Sequence, residues 1–289
     1  MKAGGLSIII PAYNEEGGIV SVLDKISALT AHIPNREIIV VNDGSRDNTG
    51  KLAERPGIKV VNHSRNRGYG RALKTGIQNA THEAILIIDA DGTYPPESIA
   101  ELYDLYVSGN LDMVVGARIG ARVSQPLIKR ISKWPINKLA DYLVNFKIPD
   151  LNSGLRIFKK SLATRYFGIL PDGFSFTTNI TLALISDGHE VKYIPINYEK
   201  RVGKSKVHPI KDAINYLTLV VRMILFYNPL KIFLPVSGLL FLFTLVSLYY
   251  DIFVISNLGD KTVVLFTSFV QVLFVGFLVD LVNKRGIHN

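Results

Sequence analysis

Short, strongly apolar segments alternate with longer amphipathic segments along the first part of the chain. The short segments are rich in isoleucine and valine, which predicts buried strands. They are LSIII (6–10), EIIVVN (37–42), IKVVN (58–62), AILIID (84–89) and DMVVG (112–116). Apolar residues recur at helical spacing between them, over 14–29, 70–79 and 97–107. The pattern predicts an α/β fold, with a Rossmann-like, mostly parallel sheet and helices on both faces.

The pattern changes after this region. SGLRIFKK (153–160) and VKYIPINYEKR (191–201) have the composition of further strands, with a helix over 179–186 between them. Residues 207–227 place apolar side chains at helical spacing, which predicts an amphipathic helix. Just before an apolar segment, such a helix can lie flat in the bilayer interface. A core helix packed on the sheet is the alternative.

Two uncharged apolar runs, 232–250 and 263–279, lie near the C-terminus. Each reaches the roughly 20 residues that a bilayer core requires once flanking residues are counted. A buried helix of a soluble protein could explain one such run, but two runs in tandem favour a membrane hairpin. Basic residues flank the pair on its outer ends: Arg222 and Lys231 before it, Lys284 and Arg285 after it. The positive-inside rule therefore predicts a two-span hairpin with both termini and the globular part on the cytoplasmic face.

Composition narrows the chemistry. The chain has 289 residues, a net charge of +9 and no cysteine, so disulfides and thiolate chemistry are excluded. LSIII is too short for a signal peptide, so we expect the globular part to stay on the side where it is made. Basic residues cluster in IKRISKW and EKRVGKSKVHPIK, beside apolar segments. Anionic lipids or phosphorylated ligands account for them better than nucleic acid, for which no motif is present.

The segment AILIIDADGTYPPE (84–97) ends an apolar run with Asp89 and Asp91. Residues i and i+2 of an extended chain point to the same side, so both carboxylates can reach one divalent ion. Alternatively, one carboxylate binds the ion and the other binds a ligand. Such oxygens suit Mg²⁺ or Mn²⁺, with phosphate oxygens completing the shell. An EF-hand loop fails because Gly92 and Tyr94 stand at the wrong positions of its pattern. A turn rich in Asp and Gly is the other interpretation.

This segment is one of several motifs in a fixed order. It follows SIIIPAYNEEGGI (7–19), IIVVNDGSRDNT (38–49) and NHSRNRGYGRALKTGI (62–77), and precedes GAR (116–118), DLNSGLRIFKK (150–160), DGFSFTTNITLAL (172–184), YEKRVGKSK (198–206) and FYNPLKIF (226–233). The ensemble resembles the family-2 glycosyltransferases of GT-A fold. Together with two terminal spans, it is similar to the polyprenyl-phosphate sugar transferases related to dolichol-phosphate mannosyltransferase. The resemblance covers nearly the whole chain.

The resemblance implies inverting transfer of a hexose from a GDP-mannose or UDP-glucose type donor to polyprenyl or dolichyl phosphate. The product would be a lipid-linked sugar for glycan or glycoprotein assembly. Matching positions for the nucleotide are Pro11, Tyr13, Glu15 and Asp43. Asp89 and Asp91 match the site of the divalent metal, Mg²⁺ or Mn²⁺, and of the diphosphate. Thr93 matches a position where some relatives place a third ligand. Asp43 can instead hold the NDGS turn.

In this interpretation the basic residues bind the phosphates of the donor and the acceptor. Arg201, Lys204 and Lys206 match a loop that closes over the donor phosphates, with a lipid-facing or solvated cluster as the alternative. Arg118 and Arg130 match positions that grip the acceptor phosphate, and arginine offers such a group a bidentate fork. Arg130 can equally be a headgroup contact.

Asn179 stands where many relatives have a glutamate base. A phosphate monoester has a second pKa near ~6 and is already a dianion at neutral pH. No proton must then be removed, so the missing carboxylate fits a lipid-phosphate acceptor better than a sugar hydroxyl. Transfer to a glycan or glycolipid hydroxyl, and an inactive membrane scaffold, are the alternatives. The predicted parts are a catalytic domain (1–206), a juxtamembrane helix (207–230) and a hairpin (231–289) with spans at about 232–250 and 263–282.

Overall fold

The computed structural model describes residues 4–119, 138, 141–142, 146–173, 175–198, 218, 221–222 and 224–287, with side chains up to 283. The chain divides into two compact units, Met1–Tyr216 and Leu217–Asn289. The predicted domain boundaries at 206 and 230 stay predictions.

The first unit is an α/β domain. Its described strands are β1 (Leu6–Ala12), β2 (Glu37–Asn42), β3 (Ile58–Asn62), β4 (Ala84–Ile87), β5 (Met113–Ala117), β6 (Arg156–Lys159) and β7 (Val191–Pro195). Its described helices are α1 (Ile19–Leu29), α2 (Thr49–Ala53), α3 (Tyr69–Asn79), α4 (Ser98–Ser108), α5 (Lys160–Arg165) and α6 (Phe176–Ser186).

The strands form a mixed sheet in the order β3-β2-β1-β4-β6-β5-β7. β6 is antiparallel to both of its neighbours, and the other described pairings are parallel. β1, β2, β4 and β5 therefore all run the same way and end at one edge of the sheet. Ligands of open α/β sheets bind outside this edge.

Both faces of the sheet are covered, as predicted. Ile8, Ile10, Leu86 and Val114 belong to one buried cluster that also includes apolar residues of α1 and α4. On the other face α3 lies very close to β1 and β2, because a Cβ on Gly76 would overlap Ile9 Cγ2 and would lie 3.3 Å from Val41 Cγ2. Only glycine allows this approach, which fixes where the N-terminus of α3 lies.

The first five predicted strands are confirmed to within two residues at each end. The two late segments form shorter strands than predicted: β6 begins three residues into 153–160, at Arg156, and β7 ends at Pro195. The helix predicted over 14–29 is wrong at its start: it begins at Ile19, because Asn14 has φ 55° and residues 13–18 form a turn. The short helices α2 and α5 were not predicted, since five or six residues are too few to show a period.

The second unit contains α7 (Leu230–Tyr250), a π-helical turn (Asp251–Ile255) and α8 (Asp260–Ile287). Two stretches are long and apolar enough to cross a membrane by length and composition, Leu230–Ile255 and Asp260–Asn283. The buried Asp251 carboxylate closes the turn between them, accepting hydrogen bonds from Gly259 N (2.8 Å) and Thr262 Oγ1 (2.6 Å). These findings agree with the predicted hairpin and lengthen both spans.

A helix precedes α7 and includes residues 224–227. Pro229 has no N–H to give to Leu225 O, so the helix cannot continue through it. The side-chain amide of Asn283 in α8 replaces the missing backbone donor: Nδ2 donates to Leu225 O (2.7 Å) and Phe226 O (2.9 Å). Most of the predicted amphipathic helix, residues 207–217, lies outside the described residues.

Candidate active site

The polar motifs follow strands that end at the same edge of the sheet. Asp43 follows β2, Asp89 and Asp91 follow β4, and Arg118 follows β5. Pro11 lies near the end of β1, and Tyr13 and Glu15 lie in the turn after it. The topology thus brings together the nucleotide, metal and acceptor residues that the sequence predicted, as far as they are described.

Asp43 joins three segments of the chain. Its buried carboxylate accepts hydrogen bonds from the amides of Arg67 and Gly68, both at 2.9 Å, and Oδ1 lies 2.6 Å from His63 Nδ1. His63 Nε2 lies 3.0 Å from Thr75 Oγ1 of α3. Asp43 therefore holds the loop before α3 in place, which is a structural role beyond the NDGS turn. Its contact with a base stays a prediction.

That loop is also attached to the segment before α6. Gly70 N donates to Gly173 O (3.1 Å) and Arg71 N to Asp172 O (2.9 Å), so carbonyls satisfy the first amides of α3. Gly68 has φ 100°, and a Cβ there would lie 2.6 Å from Asp172 O. The loop before α3 and the segment before α6 are thereby fixed to each other.

Asp89 lies at the end of β4 against two neighbours. Tyr69 Oη, at the start of α3, donates to Asp89 Oδ1 at 2.8 Å. A Cβ on Gly154 would lie 2.7 Å from Asp89 Cγ, so the Gly154 backbone touches the carboxylate directly. Tyr69 is partly buried, and its desolvation together with the charge of Asp89 raises the pKa of Tyr69 well above its usual value. It stays a hydrogen-bond donor at every physiological pH.

Asp91 is positioned by Thr93. The Thr93 amide (3.1 Å) and hydroxyl (2.6 Å) both donate to Asp91 Oδ1. Thr93 is 1% exposed, so its hydroxyl acts within the turn. Metal ligation by Thr93 stays a prediction, and the described contact makes it a support for Asp91.

The residues fit a divalent ion that is shared with a substrate. No group of three or more His, Asp or Glu side chains that could hold a metal is present among the described residues. Asp89 and Asp91 supply hard carboxylate oxygens at adjacent places of one strand end. Mg²⁺ and Mn²⁺ are commonly held by one or two carboxylates with phosphate oxygens and water completing the shell.

Arg118 is paired with a carboxylate. Its Nε and Nη2 donate to the two oxygens of Asp150 at 2.7 and 2.8 Å, and its amide donates to the same group at 3.0 Å. The guanidinium carbon lies 5.3 Å from the ring centroid of Tyr198. Burial opposes the charge, but the hydrogen bond to Asp150 outweighs it and raises the pKa of Arg118. Two of its five N–H groups are thus engaged, and its contact with an acceptor phosphate stays a prediction.

Tyr94 and Tyr198 connect Arg118 to the metal side. Their ring centroids are 5.1 Å apart in an edge-to-face arrangement. The Tyr94 hydroxyl accepts a hydrogen bond from Gly154 N at 2.6 Å, and Gly154 in turn contacts Asp89. We did not predict a role for either tyrosine or for Asp150. The sequence shows Tyr94 in YPP and Tyr198 in NYE, but it does not show which residues these tyrosines contact.

The predicted base position does not contact this cluster in the described structure. Asn179 is 3% exposed within α6 and its amide lies 3.4 Å from Ile169 O. Thr178, one residue earlier and about 100° around the helix, donates instead to Asn152 Oδ1 in the segment after Asp150. Thr178 therefore connects α6 to the segment that follows Asp150. Arg130, Arg201, Lys204 and Lys206 lie outside the described residues.

Residues 7–167 match the family model for glycosyl transferase family 2, and residues 228–284 match the one for the GtrB C-terminal hairpin. The chain belongs to glycosyltransferase family 2. The predicted resemblance to this family and to its polyprenyl-phosphate sugar transferases is confirmed.

Several relatives span most of the chain. Dolichyl-phosphate hexose transferase of Haloferax volcanii is 30% identical, covering 71% of this chain and 87% of that protein. Polyprenol monophosphomannose synthase of Mycolicibacterium smegmatis is 26% identical over 69% and 80%. Dodecaprenyl-phosphate galacturonate synthase of Rhizobium johnstonii is 24% identical over 96% and 88%, which includes the hairpin.

Solved structures confirm the GT-A fold. Glucosyl-3-phosphoglycerate synthase of Mycobacterium tuberculosis in complex with UDP aligns with a TM-score of 0.60 and 20% identity, over 76% of this chain and 80% of that one. The same enzyme in complex with Mn²⁺, UDP-glucose and phosphoglyceric acid aligns with a TM-score of 0.59.

Proposed function

We propose that the protein transfers a hexose, with inversion, from a nucleotide diphosphate sugar to a polyprenyl phosphate at a membrane surface. The observation that carries this proposal is the union, in one chain, of a family-2 domain and a GtrB-type hairpin. Relatives named for dolichyl, polyprenol and dodecaprenyl phosphates support the acceptor class.

The donor lies against the ends of β1, β2 and β4 in this proposal. Pro11, Tyr13, Glu15 and Asp43 would contact the nucleotide, and their positions at and after the ends of β1 and β2 support this assignment. GDP-mannose and UDP-glucose are both candidate types of donor. UDP-glucose bound to a protein of the same fold favours a uridine donor as the first to test.

Asp89 and Asp91 would hold the divalent ion, Mg²⁺ or Mn²⁺. When bound, that ion neutralises negative charge on the diphosphate leaving group. The protein's own part is to hold the carboxylates: Tyr69 and Gly154 restrict Asp89, and Thr93 restricts Asp91. Arg201, Lys204 and Lys206 would add positive charge for the donor phosphates.

The acceptor phosphate would bind on the β5 side. The guanidinium of Arg118 has five N–H groups, and two of them donate to Asp150. The other N–H groups would be available to the acceptor phosphate. Arg130 would contribute a second fork. A phosphate dianion attacks the anomeric carbon without losing a proton, so this site needs alignment and charge and no general base.

The hairpin places this chemistry at the bilayer. Two apolar helices anchor the chain, and the basic residues that flank them favour a cytoplasmic catalytic domain. A polyprenyl phosphate keeps its chain in the membrane and presents only its headgroup, which suits a site held at the interface.

The full-length protein in detergent or nanodiscs tests the proposal. We expect sugar from one member of a nucleotide-sugar panel to appear on polyprenyl phosphate in the presence of Mn²⁺ or Mg²⁺, measured by mass spectrometry of the lipid fraction. The anomeric configuration of the sugar in the product, compared with that in the donor, shows whether transfer inverts it. Transfer to glycan or glycolipid hydroxyls alone would replace the proposal with the first alternative. Absence of turnover with every donor would leave the inactive scaffold.

A further inference from the structure

Arg156 is a fully buried arginine in the centre of the sheet. It lies in β6, paired with Ile87 of β4 and Val115 of β5, and its relative exposure is 0%. Charged side chains are almost never fully buried unless they are paired. Arg156 forms no salt bridge with any carboxylate of the described residues. Such a charge is costly, so its presence needs a reason.

Among the described residues, the guanidinium donates to neutral acceptors. Nε donates to Ser153 O (3.0 Å), Nη2 donates to the same carbonyl, and Nη1 donates to Thr177 O (2.8 Å) and Thr181 Oγ1 (2.6 Å). These contacts attach the segment before β6 to helix α6. They fix the position of the charge without supplying a negative charge of their own. Burial lowers the pKa of Arg156, yet arginine remains protonated in proteins.

The charge lies directly behind the candidate site. Its electrostatic neighbours include Tyr69, Tyr94 and Asp150. Tyr69 donates to Asp89, and Asp150 holds Arg118. Arg156 thus interacts electrostatically both with the group that contacts Asp89 and with the group that contacts Arg118.

One peptide unit extends the charge toward the site. The Ser153 carbonyl points at Arg156, and the N–H of the same peptide, on Gly154, points at the Tyr94 hydroxyl. That N–H is the positive end of the peptide dipole. Since a Cβ on Gly154 would overlap the Asp89 carboxylate, this peptide borders the metal position itself.

We propose that Arg156 is a positioning residue that supplies a fixed buried positive charge to the anionic substrates, chiefly the diphosphate of the donor. This inference rests on the proposed function. A preorganised charge in a site shielded from water acts more strongly than one in water and needs no reorganisation when negative charge develops. It also repels a bare cation, so it favours the metal together with the diphosphate over the metal alone.

The two binding steps therefore respond in opposite directions when the charge is removed. In Arg156→Gln we expect Mn²⁺ alone to bind more tightly, and UDP or GDP in saturating Mn²⁺ to bind more weakly. Each change should be at least about tenfold, because that is the size expected of one pair of unit charges roughly 10 Å apart at an effective dielectric constant of about 20, and both Mn²⁺ and the diphosphate carry more than one charge. Electron paramagnetic resonance of free Mn²⁺ and calorimetry of the nucleotide measure them without turnover.

Thr181→Val is the matched structural control. It removes one hydrogen bond of Arg156 and keeps the charge, so we expect both affinities to stay within about twofold of wild type. If Thr181→Val and Arg156→Gln weaken both steps alike, Arg156 serves only to hold the fold and the inference is wrong.

Arg156→Lys provides the second test if the glutamine variant does not fold. A buried lysine loses its proton more readily than arginine. We expect nucleotide affinity near wild type at pH 6.5 and a loss toward pH 9 that wild type does not show. An affinity that is independent of pH, at the wild-type value or below it, overturns the charge role. If wild type binds neither UDP nor GDP in Mn²⁺, the proposed function fails instead, which separates the two outcomes.

Discussion

Gly154→Ala perturbs the candidate metal site from the backbone side. The added Cβ would lie 2.7 Å from Asp89 Cγ and 2.8 Å from Asp89 Oδ1. Non-bonded carbon atoms prefer about 3.5–4.0 Å, so the carboxylate must retreat by roughly 1 Å. Tyr69 resists that movement, because its hydroxyl donates to Asp89 Oδ1 at 2.8 Å. The substitution therefore displaces Asp89 without changing any charged group.

A displacement of this size is expensive for catalysis and modest for folding. A misplacement of about 1 Å can lower a rate by about 10²-fold, whereas overpacking costs about 1–3 kcal/mol of stability. We expect kcat/KM for sugar transfer to fall by about 10²-fold. The Mn²⁺ concentration for half-maximal activity should rise, while the variant keeps a cooperative thermal transition.

Gly168→Ala is the control, because no atom lies within 4 Å of a Cβ built there. We expect activity within about twofold of wild type and unchanged or slightly higher stability. If Gly154→Ala retains wild-type turnover and metal dependence, the Gly154 backbone does not set the position of Asp89, and the placement of the metal there loses its support.

Three further predictions follow from the same geometry. Asp91→Asn should abolish transfer while leaving the thermal transition intact, and near-normal activity with metal present would remove Asp91 from the metal site. Asp150→Asn should lower the free energy of unfolding by about 3 kcal/mol at pH 7, because Arg118 is left without its partner. Burial by itself raises the pKa of Asp150, but the hydrogen bonds from Arg118 outweigh it and hold that pKa below its usual value. The stabilisation by ionised Asp150 is then complete above about pH 4 and is lost as the pH falls through the lowered pKa. The free energies of unfolding of wild type and variant, measured with denaturant, should therefore converge in acid. A difference that stays constant to pH 2 would contradict this. Deleting 232–289 should impair transfer to long-chain polyprenyl phosphate more than nucleotide binding, and equal kinetics on a full-length lipid acceptor would refute the anchoring role.

The linear pattern determined the strands and the identity of the candidate residues at the strand ends. Apolar runs of five or six residues that are rich in isoleucine and valine favour buried strands, and their alternation with helices implies parallel neighbours. The carboxylates of Asp89 and Asp91, two residues apart after such a run, already predicted a ligand edge. The apolar hairpin was equally evident, because length and lack of charge are properties of the chain alone.

Tertiary structure alone decided which groups support these residues. Tyr69 reaches Asp89 from α3, Asp150 reaches Arg118 from another segment, and Asp43 binds the loop before α3. The direction of β6 was also undecided, since an apolar run does not state its orientation. Arg156 reads as one basic residue in RIFKK, and only the antiparallel placement of β6 between β4 and β5 buries it behind the site. Burial and partnership depend on which distant segments meet, and local periodicity carries no information about that.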